Sequence, residues 1–182
     1  LDLGATRDAI QGYTAVLGRA RAAGAEALEA AALGGLGQTH TIRGEMGQAF
    51  ANIDASLAIR RKRGDRLGEA KTLTNRGNAL ARSAKLDDAR ADHERAASIF
   101  FELGSQDEYV HARFNVVPVL LQQKRLDDAI DGARWCRDAF RERGDVRGEA
   151  MALGTLGQAL RHSGSLEPSL EASVEALACF EK

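Results

Sequence analysis

The chain has 182 residues, of which 44% are hydrophobic and 28% are charged, and its formal net charge at pH 7 is −1. This length is sufficient for one hydrophobic core or for a short array of repeats. The balanced charge argues against a general nucleic-acid-binding domain, which would carry a basic excess, and it leaves only a local basic patch open. No apolar run approaches the roughly 18 residues that a membrane-spanning helix requires.

The composition predicts an all-α fold. The chain contains only two prolines and 5% aromatic residues, and it is rich in Ala, Leu, Arg and Glu, which favour helices. The opening decapeptide "LDLGATRDAI" has no initiator methionine and no signal pattern of charged residues followed by apolar ones. We therefore expect the sequence to be a fragment of a longer protein.

A glycine recurs every 40 residues, at Gly24, Gly64, Gly104 and Gly144. Small residues follow the same period at two further positions, namely Gly37, Gly77 and Gly157, and Ala49, Ala89, Ala129 and Ser169. A period of this length is the signature of a solenoid built from stacked repeats. Because small residues allow two helices to approach closely, we predict that each unit is a helix (A), a short turn and a second helix (B).

The predicted elements follow one another from the N-terminus as one solenoid domain of about nine helices in antiparallel pairs, without strands. The segments are 1–24, the second helix of a truncated preceding repeat, and four repeats at 25–64, 65–104, 105–144 and 145–182. In the repeat 65–104, helix A is predicted over 65–82, and helix B starts near Asp87 and ends before Gly104. Asp65 follows a terminating glycine and is suited to cap helix A, as is Asp145 in the last repeat.

The third repeat, 105–144, departs from the pattern. Val117 stands where the other repeats have glycine, and Pro118 follows it in the middle of helix A. Proline removes one backbone hydrogen bond and its ring clashes with the carbonyl four residues earlier, which belongs to Phe114. We predict that helix A is kinked or opened at this point.

The stretch "RRKRGDRLGEA" at 60–70 contains five basic residues and raises the question of a nucleic-acid contact or a targeting signal. The fourth repeat has a weaker copy with Arg141 and Arg143, whereas the third has "FFELGSQD", which contains no basic residue. Cations are favourable at a helix C-terminus. Since a nucleic-acid surface should recur along the solenoid, the pattern favours a solvated junction between repeats.

The sequence supports no catalytic or metal site. The histidines have no ligand spacing, and we predict that two of them, His40 and His93, are buried and hydrogen-bonded because apolar residues otherwise occupy their positions. Cys136 and Cys179 are predicted core residues in a reducing, cytoplasmic compartment. The acidic pairs that open helices B, such as Asp127 and Asp128, are explained by capping and the helix dipole. We predict no enzyme activity and no cofactor.

The segments "EAKTLTNRGNAL" (69–80), "EAMALGTLGQAL" (149–160) and "LDDA" (86–89 and 126–129) resemble tetratricopeptide repeats. They are similar to the forty-residue variant found in kinesin light chains, polarity scaffolds and bacterial signalling regulators. This resemblance implies a right-handed superhelical solenoid with helices A on its concave side. A HEAT or armadillo array has a similar period and is the alternative, but those repeats lack this spacing of small residues.

The resemblance also implies that a peptide or protein segment binds in the concave groove, where polar side chains of helices A hold its backbone. The side chains at the matching positions are Gln38, Lys71, Thr74, Asn75, Asn78, Arg82, His111, Phe114, Asn115, Gln122, Gln158 and Arg161. The basic members predict an acidic partner. The expected function is thus a non-catalytic scaffold or regulatory domain that contacts neither nucleic acid nor membrane. The alternative is a module for self-assembly through the solenoid ends or for packing within its own chain.

Overall fold

The computed structural model describes residues 3–179, which form nine α-helices and no strand. The all-α repeat architecture predicted from the sequence is therefore confirmed for this part of the chain. The helices are α1 (Leu3–Ala22), α2 (Glu26–Arg43), α3 (Met46–Lys62), α4 (Arg66–Arg82), α5 (Leu86–Glu102), α6 (Gln106–Gln122), α7 (Leu126–Glu142), α8 (Val146–His162) and α9 (Leu166–Ala178). Helices α2, α4, α6 and α8 are the predicted helices A.

The chain divides into two compact units, Leu1–Ile99 and Phe100–Lys182. In the first unit, α1 packs on α2, α2 on α3 and α3 on α4. In the second unit, α6 packs on α7, α7 on α8 and α8 on α9. Helices A also contact each other, α2 with α4 and α6 with α8, as expected when helical hairpins stack. The boundaries of the individual repeats remain a prediction from the sequence.

The turn before α4 confirms the predicted cap. Gly64 has a φ of +67°, a conformation that residues with a Cβ rarely adopt. Asp65 follows, and its Oδ1 accepts a hydrogen bond of 2.9 Å from the backbone N of Gly68. Asp145 makes the equivalent bond of 2.8 Å to the backbone N of Gly148 at the start of α8. Each of these bonds satisfies a backbone donor that has no partner inside its helix.

The acidic pair at the start of α7 does not cap the helix. The residue at the N-cap position is Arg125, whose side chain makes no capping hydrogen bond, and Asp127 and Asp128 lie inside the first turn. The capping prediction for these two carboxylates is therefore wrong. Their position still places negative charge near the positive end of the helix dipole.

Glycines on helices A make the close approach to helices B possible. A Cβ at Gly37 would come within 2.4 Å of Ile53 Cγ1 and 3.2 Å of the backbone oxygen of Ala49. A buried hydroxyl further ties helix B to helix A, since Ser56 Oγ donates a hydrogen bond of 2.7 Å to the carbonyl of Ala30. The predicted role of the small residues is thus confirmed in the first unit.

The third repeat reverses this arrangement. Val117 replaces the glycine of helix A and is buried. Across from it, Ala133 stands where Ile53 and His93 stand in the two preceding repeats. A Cβ at Gly132 would come within 3.1 Å of Val117 Cγ2. In this repeat the larger side chain of the contact therefore lies on helix A, whereas in the two preceding repeats it lies on helix B.

Helix α6 runs without interruption past Pro118. The prediction that the helix opens at this residue is therefore wrong. A bend of its axis at Pro118 remains a prediction.

Candidate functional site

One face of α4 carries four polar side chains at helical spacing: Lys71, Asn75, Asn78 and Arg82. Lys71, Asn78 and Arg82 are exposed, and Asn75 is half-buried. None of the four has a hydrogen-bond or ion-pair partner among residues 3–179. Most of the other residues of α4 are buried in the first unit, including Leu73, which is 1% exposed. This row is therefore the part of α4 that is free to bind another molecule.

Two neighbours of this row on α4 are engaged in the protein. Thr74 Oγ1 donates a hydrogen bond of 3.1 Å to the carbonyl of Ala70, so that its hydroxyl offers mainly its oxygen to a ligand. Arg76 forms ion pairs with Asp92 and Asp54. The first unit also includes Gln38, which is exposed on α2.

In the second unit, Gln122, Gln158 and Arg161 are exposed and Asn115 is half-buried. These side chains lie on the two helices A of that unit, α6 and α8. Like the row on α4, they have no hydrogen-bond or ion-pair partner within the described part of the chain. The positions taken from the sequence therefore supply free polar groups in each unit.

Phe114 is a correction to the predicted set. It is 6% exposed and belongs to the hydrophobic core of the second unit. Its ring meets that of Phe140 edge-on, with 6.0 Å between the ring centroids. It replaces Thr74 of the preceding repeat, and its longer apolar side chain turns into the core. Phe114 therefore offers no surface to a ligand.

His111 is exposed but not free. Its Nε2 lies 3.1 Å from Oδ2 of Asp145, the residue that caps α8. Its ring also contacts the ring of Phe140, with 4.9 Å between the centroids. These residues line a pocket of about 230 Å³ together with Asp107 and Arg143. His111 thus contributes to the junction between α6 and α8.

The sequence did not predict the ion-pair cluster around Arg76. Arg76 Nε lies 2.7 Å from Asp92 Oδ2, and Arg76 Nη2 donates a second bond of 2.8 Å to Asp92 Oδ1. A third contact of 3.3 Å joins Arg76 Nη1 to Asp54 Oδ1. The hydrogen bonds to Asp92 raise the pKa of Arg76. The spacing of 16 residues between Arg76 and Asp92 becomes informative only when the hairpin is known.

A pocket of about 500 Å³ opens beside this cluster in the first unit. Its lining is mixed in charge and includes Phe50, Leu80 and Lys85 as well as Arg76 and both aspartates. The Nζ atom of Lys85 lies 5.6 Å from the centroid of the Phe50 ring, within the range of a cation–π contact.

The buried titratable groups serve packing. His40 is buried, and its Nδ1 lies 2.6 Å from Glu45 Oε2, which confirms the prediction for this residue. His93 is also buried, but its Nδ1 has no hydrogen-bond partner in the described residues, so that half of its prediction is wrong. Burial lowers the pKa of His93 to about 4. Cys136 and Cys179 are buried and unpaired, as predicted, and burial raises the pKa of Cys136 to about 12.

The five basic side chains at 60–66 are all paired with carboxylates inside the first unit. Arg61 Nε lies 3.0 Å from Glu69 Oε1, and Lys62 Nζ lies 2.7 Å from Glu26 Oε1. The remaining contacts are Arg60 with Asp65, Arg63 with Glu26 and Arg66 with Glu69. The hydrogen bond from Lys62 lowers the pKa of Glu26. These pairs support the interpretation of the basic stretch as a junction between repeats.

Residues 3–179 contain neither a candidate metal cluster nor a helix suited to a membrane. No cluster of three or more His, Cys, Asp or Glu side chains in this range is placed to hold a metal ion. Within the same range, no helix combines the length and the apolar character needed to cross a membrane.

Part of the chain is similar to a known repeat family. Residues 28–100 match the family model of the tetratricopeptide repeat. The resemblance noted from the sequence is thereby confirmed, and repeats of this family are in general scaffolds for protein interactions. No curated protein matches the chain.

Solved structures share the fold across almost the whole chain. A Podosopora anserina protein described as a kinesin light chain with nearly identical TPR-like repeats is 11% identical, with a TM-score of 0.79 and coverage of 97% of this chain and 87% of that chain. A second structure of it gives a TM-score of 0.77 at 12% identity and the same coverage. BtubC (BKLC) from P. vanneervenii is 13% identical, with a TM-score of 0.63 and coverage of 97% and 91%. At these identities the likeness concerns the fold.

Proposed function

We propose that this tetratricopeptide repeat chain is a non-catalytic interaction domain that binds a peptide or an extended protein segment along its helices A. The observation that carries the proposal is the row of polar side chains on α4 that have no partner within residues 3–179. Asn75 and Asn78 each present a donor and an acceptor, which match the N–H and C=O of a peptide group. In the second unit, Asn115 occupies the same position as Asn75 in the repeat.

The charge of the α4 row favours an acidic segment. Lys71 and Arg82 flank the two asparagines, and the row contains no carboxylate. Arg76 on the same helix is instead compensated by Asp92 and Asp54. The row therefore offers two uncompensated cations, and an Asp, a Glu or a C-terminal carboxylate of the partner would form charge-assisted hydrogen bonds with them.

Selection of binders from a random peptide display library, with the whole chain as bait, tests this function. The selected peptide is then measured by calorimetry against Asn75→Ala combined with Asn115→Ala. Loss of charge-assisted or neutral hydrogen bonds at two positions should weaken binding at least about tenfold. The melting temperature should remain nearly unchanged, because neither side chain bonds to the rest of the described protein.

Asn52→Ala is the matched control. Asn52 is half-buried on α3, and its Nδ2 donates a hydrogen bond of 2.8 Å to the carbonyl of Gln48. This variant should bind the selected peptide as the unmodified chain does. If the double variant also binds with unchanged affinity, helices A do not hold the peptide and the proposed function is wrong.

A second candidate function, self-assembly, is favoured by α9. Four large apolar side chains are exposed along this helix: Leu166, Leu170, Val174 and Leu177. Such a stripe is typical of a helix that packs against another element. Light scattering over a range of concentrations tests this candidate. A mass that rises with concentration and returns to the monomer value in Leu170→Glu would favour assembly.

A further inference from the structure

The third repeat differs from the other three at the contact between helix B of one repeat and helix A of the next. At this contact Arg21 Nε lies 2.8 Å from Glu29 Oε1, and Arg61 Nε lies 3.0 Å from Glu69 Oε1. The fourth repeat has the same ion pair, with 2.7 Å between Arg141 Nε and Glu149 Oε1. All three pairs join residues eight positions apart, and they stand at corresponding places of the 40-residue period.

In the third repeat the residues at these two positions are Phe101 and Tyr109. Their rings are in contact, with 5.4 Å between the centroids. Trp135 on α7 extends the contact, since its ring meets that of Tyr109 edge-on at a centroid distance of 5.9 Å. An ion pair between an exposed arginine and a largely buried glutamate in the other repeats is thus replaced by three adjoining aromatic rings, all within the second unit.

The third repeat also differs from the others at Arg113. Arg113 stands where the other repeats have the buried residues Leu33, Leu73 and Leu153, and unlike them it is exposed. Its Cζ lies 4.9 Å from the centroid of the Trp135 ring, in cation–π geometry. Its Nη1 donates a weak hydrogen bond of 3.5 Å to the hydroxyl of Tyr109. We call Phe101, Tyr109, Arg113 and Trp135 the aromatic patch.

Two of the three rings of the aromatic patch are open to solvent, and Tyr109 between them is half-buried. Phe101 is 61% exposed and Trp135 is 39% exposed. Leu103, close to Phe101 in sequence, is exposed as well. Adjoining exposed aromatic side chains on a soluble protein mark an interaction surface, and Trp, Tyr and Arg are the residues that contribute most to binding energy at such surfaces.

The size of the aromatic patch argues against a second copy of this chain as its occupant. A fully buried aromatic side chain covers roughly 150–250 Å². Three partly exposed rings therefore offer a few hundred Å², whereas each partner of a stable complex buries about 800 Å². A short linear segment fits the available area better.

The polar atoms of the aromatic patch define the chemistry of that segment. Trp135 and Arg113 contribute hydrogen-bond donors only, and the Tyr109 oxygen already accepts from Arg113. A ligand must therefore supply hydrogen-bond acceptors. It does not need donors of its own. Proline residues meet this requirement, because each has a carbonyl oxygen and no N–H. Two residues of a polyproline II helix advance by about 6 Å, close to the spacing of neighbouring rings.

We propose that the aromatic patch binds a proline-rich segment in the polyproline II conformation. The rings would pack against the prolines, and Trp135 Nε1, Arg113 and the Tyr109 hydroxyl would donate to the carbonyls between them. The segment comes from outside this sequence, whose two prolines, Pro118 and Pro168, both lie within helices. The aromatic patch shares no residue with the polar row on α4.

Trp135 is the only tryptophan of the chain, so its fluorescence reports on the aromatic patch directly. The probe is a synthetic peptide of ten prolines with an aspartate at each end, titrated to about 1 mM into the whole chain. The control peptide has the same ends and a glycine–serine middle. The decaproline peptide should change the emission of Trp135 saturably, and the control peptide should not.

The decisive variant is Phe101→Arg combined with Tyr109→Glu, which restores the ion pair found in the other repeats and leaves Trp135 in place. It should weaken binding about thirtyfold or more, the loss associated with dominant interface residues. Asn75→Ala with Asn115→Ala should bind the decaproline peptide normally, which separates this proposal from the proposed function. Circular dichroism checks that the variants are folded. If the decisive variant does not fold, calorimetry on Trp135→Ala takes its place.

Four results would overturn the proposal. The first is no saturable change, and the second is an equal response to the glycine–serine peptide. The third is unchanged affinity of the decisive variant, or of Trp135→Ala in its place. The fourth is a fluorescence change that follows protein concentration without peptide and is accompanied by dimerisation in light scattering, which would assign the aromatic patch to a second copy.

Discussion

Arg76 and Asp92 are joined by two parallel hydrogen bonds, with 2.7 Å from Nε to Oδ2 and 2.8 Å from Nη2 to Oδ1. The two residues lie on α4 and α5, and the side chain of Asp92 is 10% exposed. This two-pronged geometry is the strongest that arginine and a carboxylate can adopt. Loss of one partner would leave the other charge largely buried without compensation.

Arg76→Met should therefore lower the free energy of unfolding by about 2 kcal/mol. Arg134→Met is the matched control, because Arg134 Nη1 lies 3.8 Å from Asp131 Oδ1 in an exposed pair. Its effect should be within about 1 kcal/mol. Urea denaturation followed by circular dichroism measures both. Equal effects of the two substitutions would contradict this assignment.

His93 should make the stability of the chain depend on pH. Burial lowers its pKa in the folded protein to about 4, whereas the unfolded value is near 6.5. Between these two values the unfolded state binds more protons, so stability falls as the pH falls from about 6.5 to about 4 and is unaffected by this group above that range. At pH 4.5 the loss should amount to about 2–3 kcal/mol relative to pH 7.

His93→Ile removes this titration and uses the residue, Ile53, that faces the equivalent glycine in the first complete repeat. Urea denaturation of both proteins at pH 4.5 and pH 7 isolates the contribution of His93 from that of the carboxylates. Between pH 7 and pH 4.5, the variant should lose about 2–3 kcal/mol less of its free energy of unfolding than the unmodified chain does. Identical pH dependence in both proteins would show that His93 is not the responsible group.

Glycines on helices A differ in how much space surrounds them. Alanine substitution should therefore change the free energy of unfolding in opposite directions at a crowded and at an open position. A Cβ at Gly37 would meet Ile53 and the backbone of α3, whereas at Gly154 there is nothing within 4 Å. Gly37→Ala should lower the free energy of unfolding by about 1–3 kcal/mol through overpacking. Gly154→Ala should raise it by about 0.5–1 kcal/mol, because alanine favours the helix. Thermal melting of the two variants gives the comparison, and stabilisation by Gly37→Ala would disprove the close contact.

Salt should weaken binding of an acidic peptide through Lys71 and Arg82. These two cations are exposed and uncompensated, so their attraction is screened as the ionic strength rises. Lys71→Ala with Arg82→Ala should lower the affinity in low salt and flatten its dependence on salt. Calorimetric titration at several salt concentrations tests this, with Lys124→Ala as an exposed control in the other unit. An unchanged salt dependence in the double variant would place the peptide elsewhere.

The sequence was sufficient for the helices and for the caps at Asp65 and Asp145, because these depend on local interactions. The glycine period and the aspartate after Gly64 specify where a helix ends and the next begins. The exposed faces of helices A followed from helical spacing, which fixes where a Cβ points. Spacing does not determine where a long side chain goes, and for this reason Phe114 was assigned to the surface although it lies in the core.

Contacts that join different helices were the part that sequence reasoning missed. The ion pair of Arg76 with Asp92 and the contact of Tyr109 with Trp135 each span two helices of a hairpin. Their members look like ordinary polar or apolar positions until the hairpin is assembled. The lack of a partner for His93 Nδ1 was missed for the same reason. The sequence predicted that His93 is buried, but it could not show whether a neighbouring helix supplies a hydrogen-bond partner.

The exchange of bulk between Val117 and Ala133 has a consequence for how these repeats could be recombined. A chimaera that pairs α6 with the helix B of the second repeat would press Val117 against His93, and the reverse chimaera would leave Gly77 facing Ala133 across a void. Both single-helix grafts fail, one by crowding and the other by an unfilled space. The two helices of the third repeat can therefore be exchanged only together. For this repeat, the smallest exchangeable part is the helix pair α6 and α7.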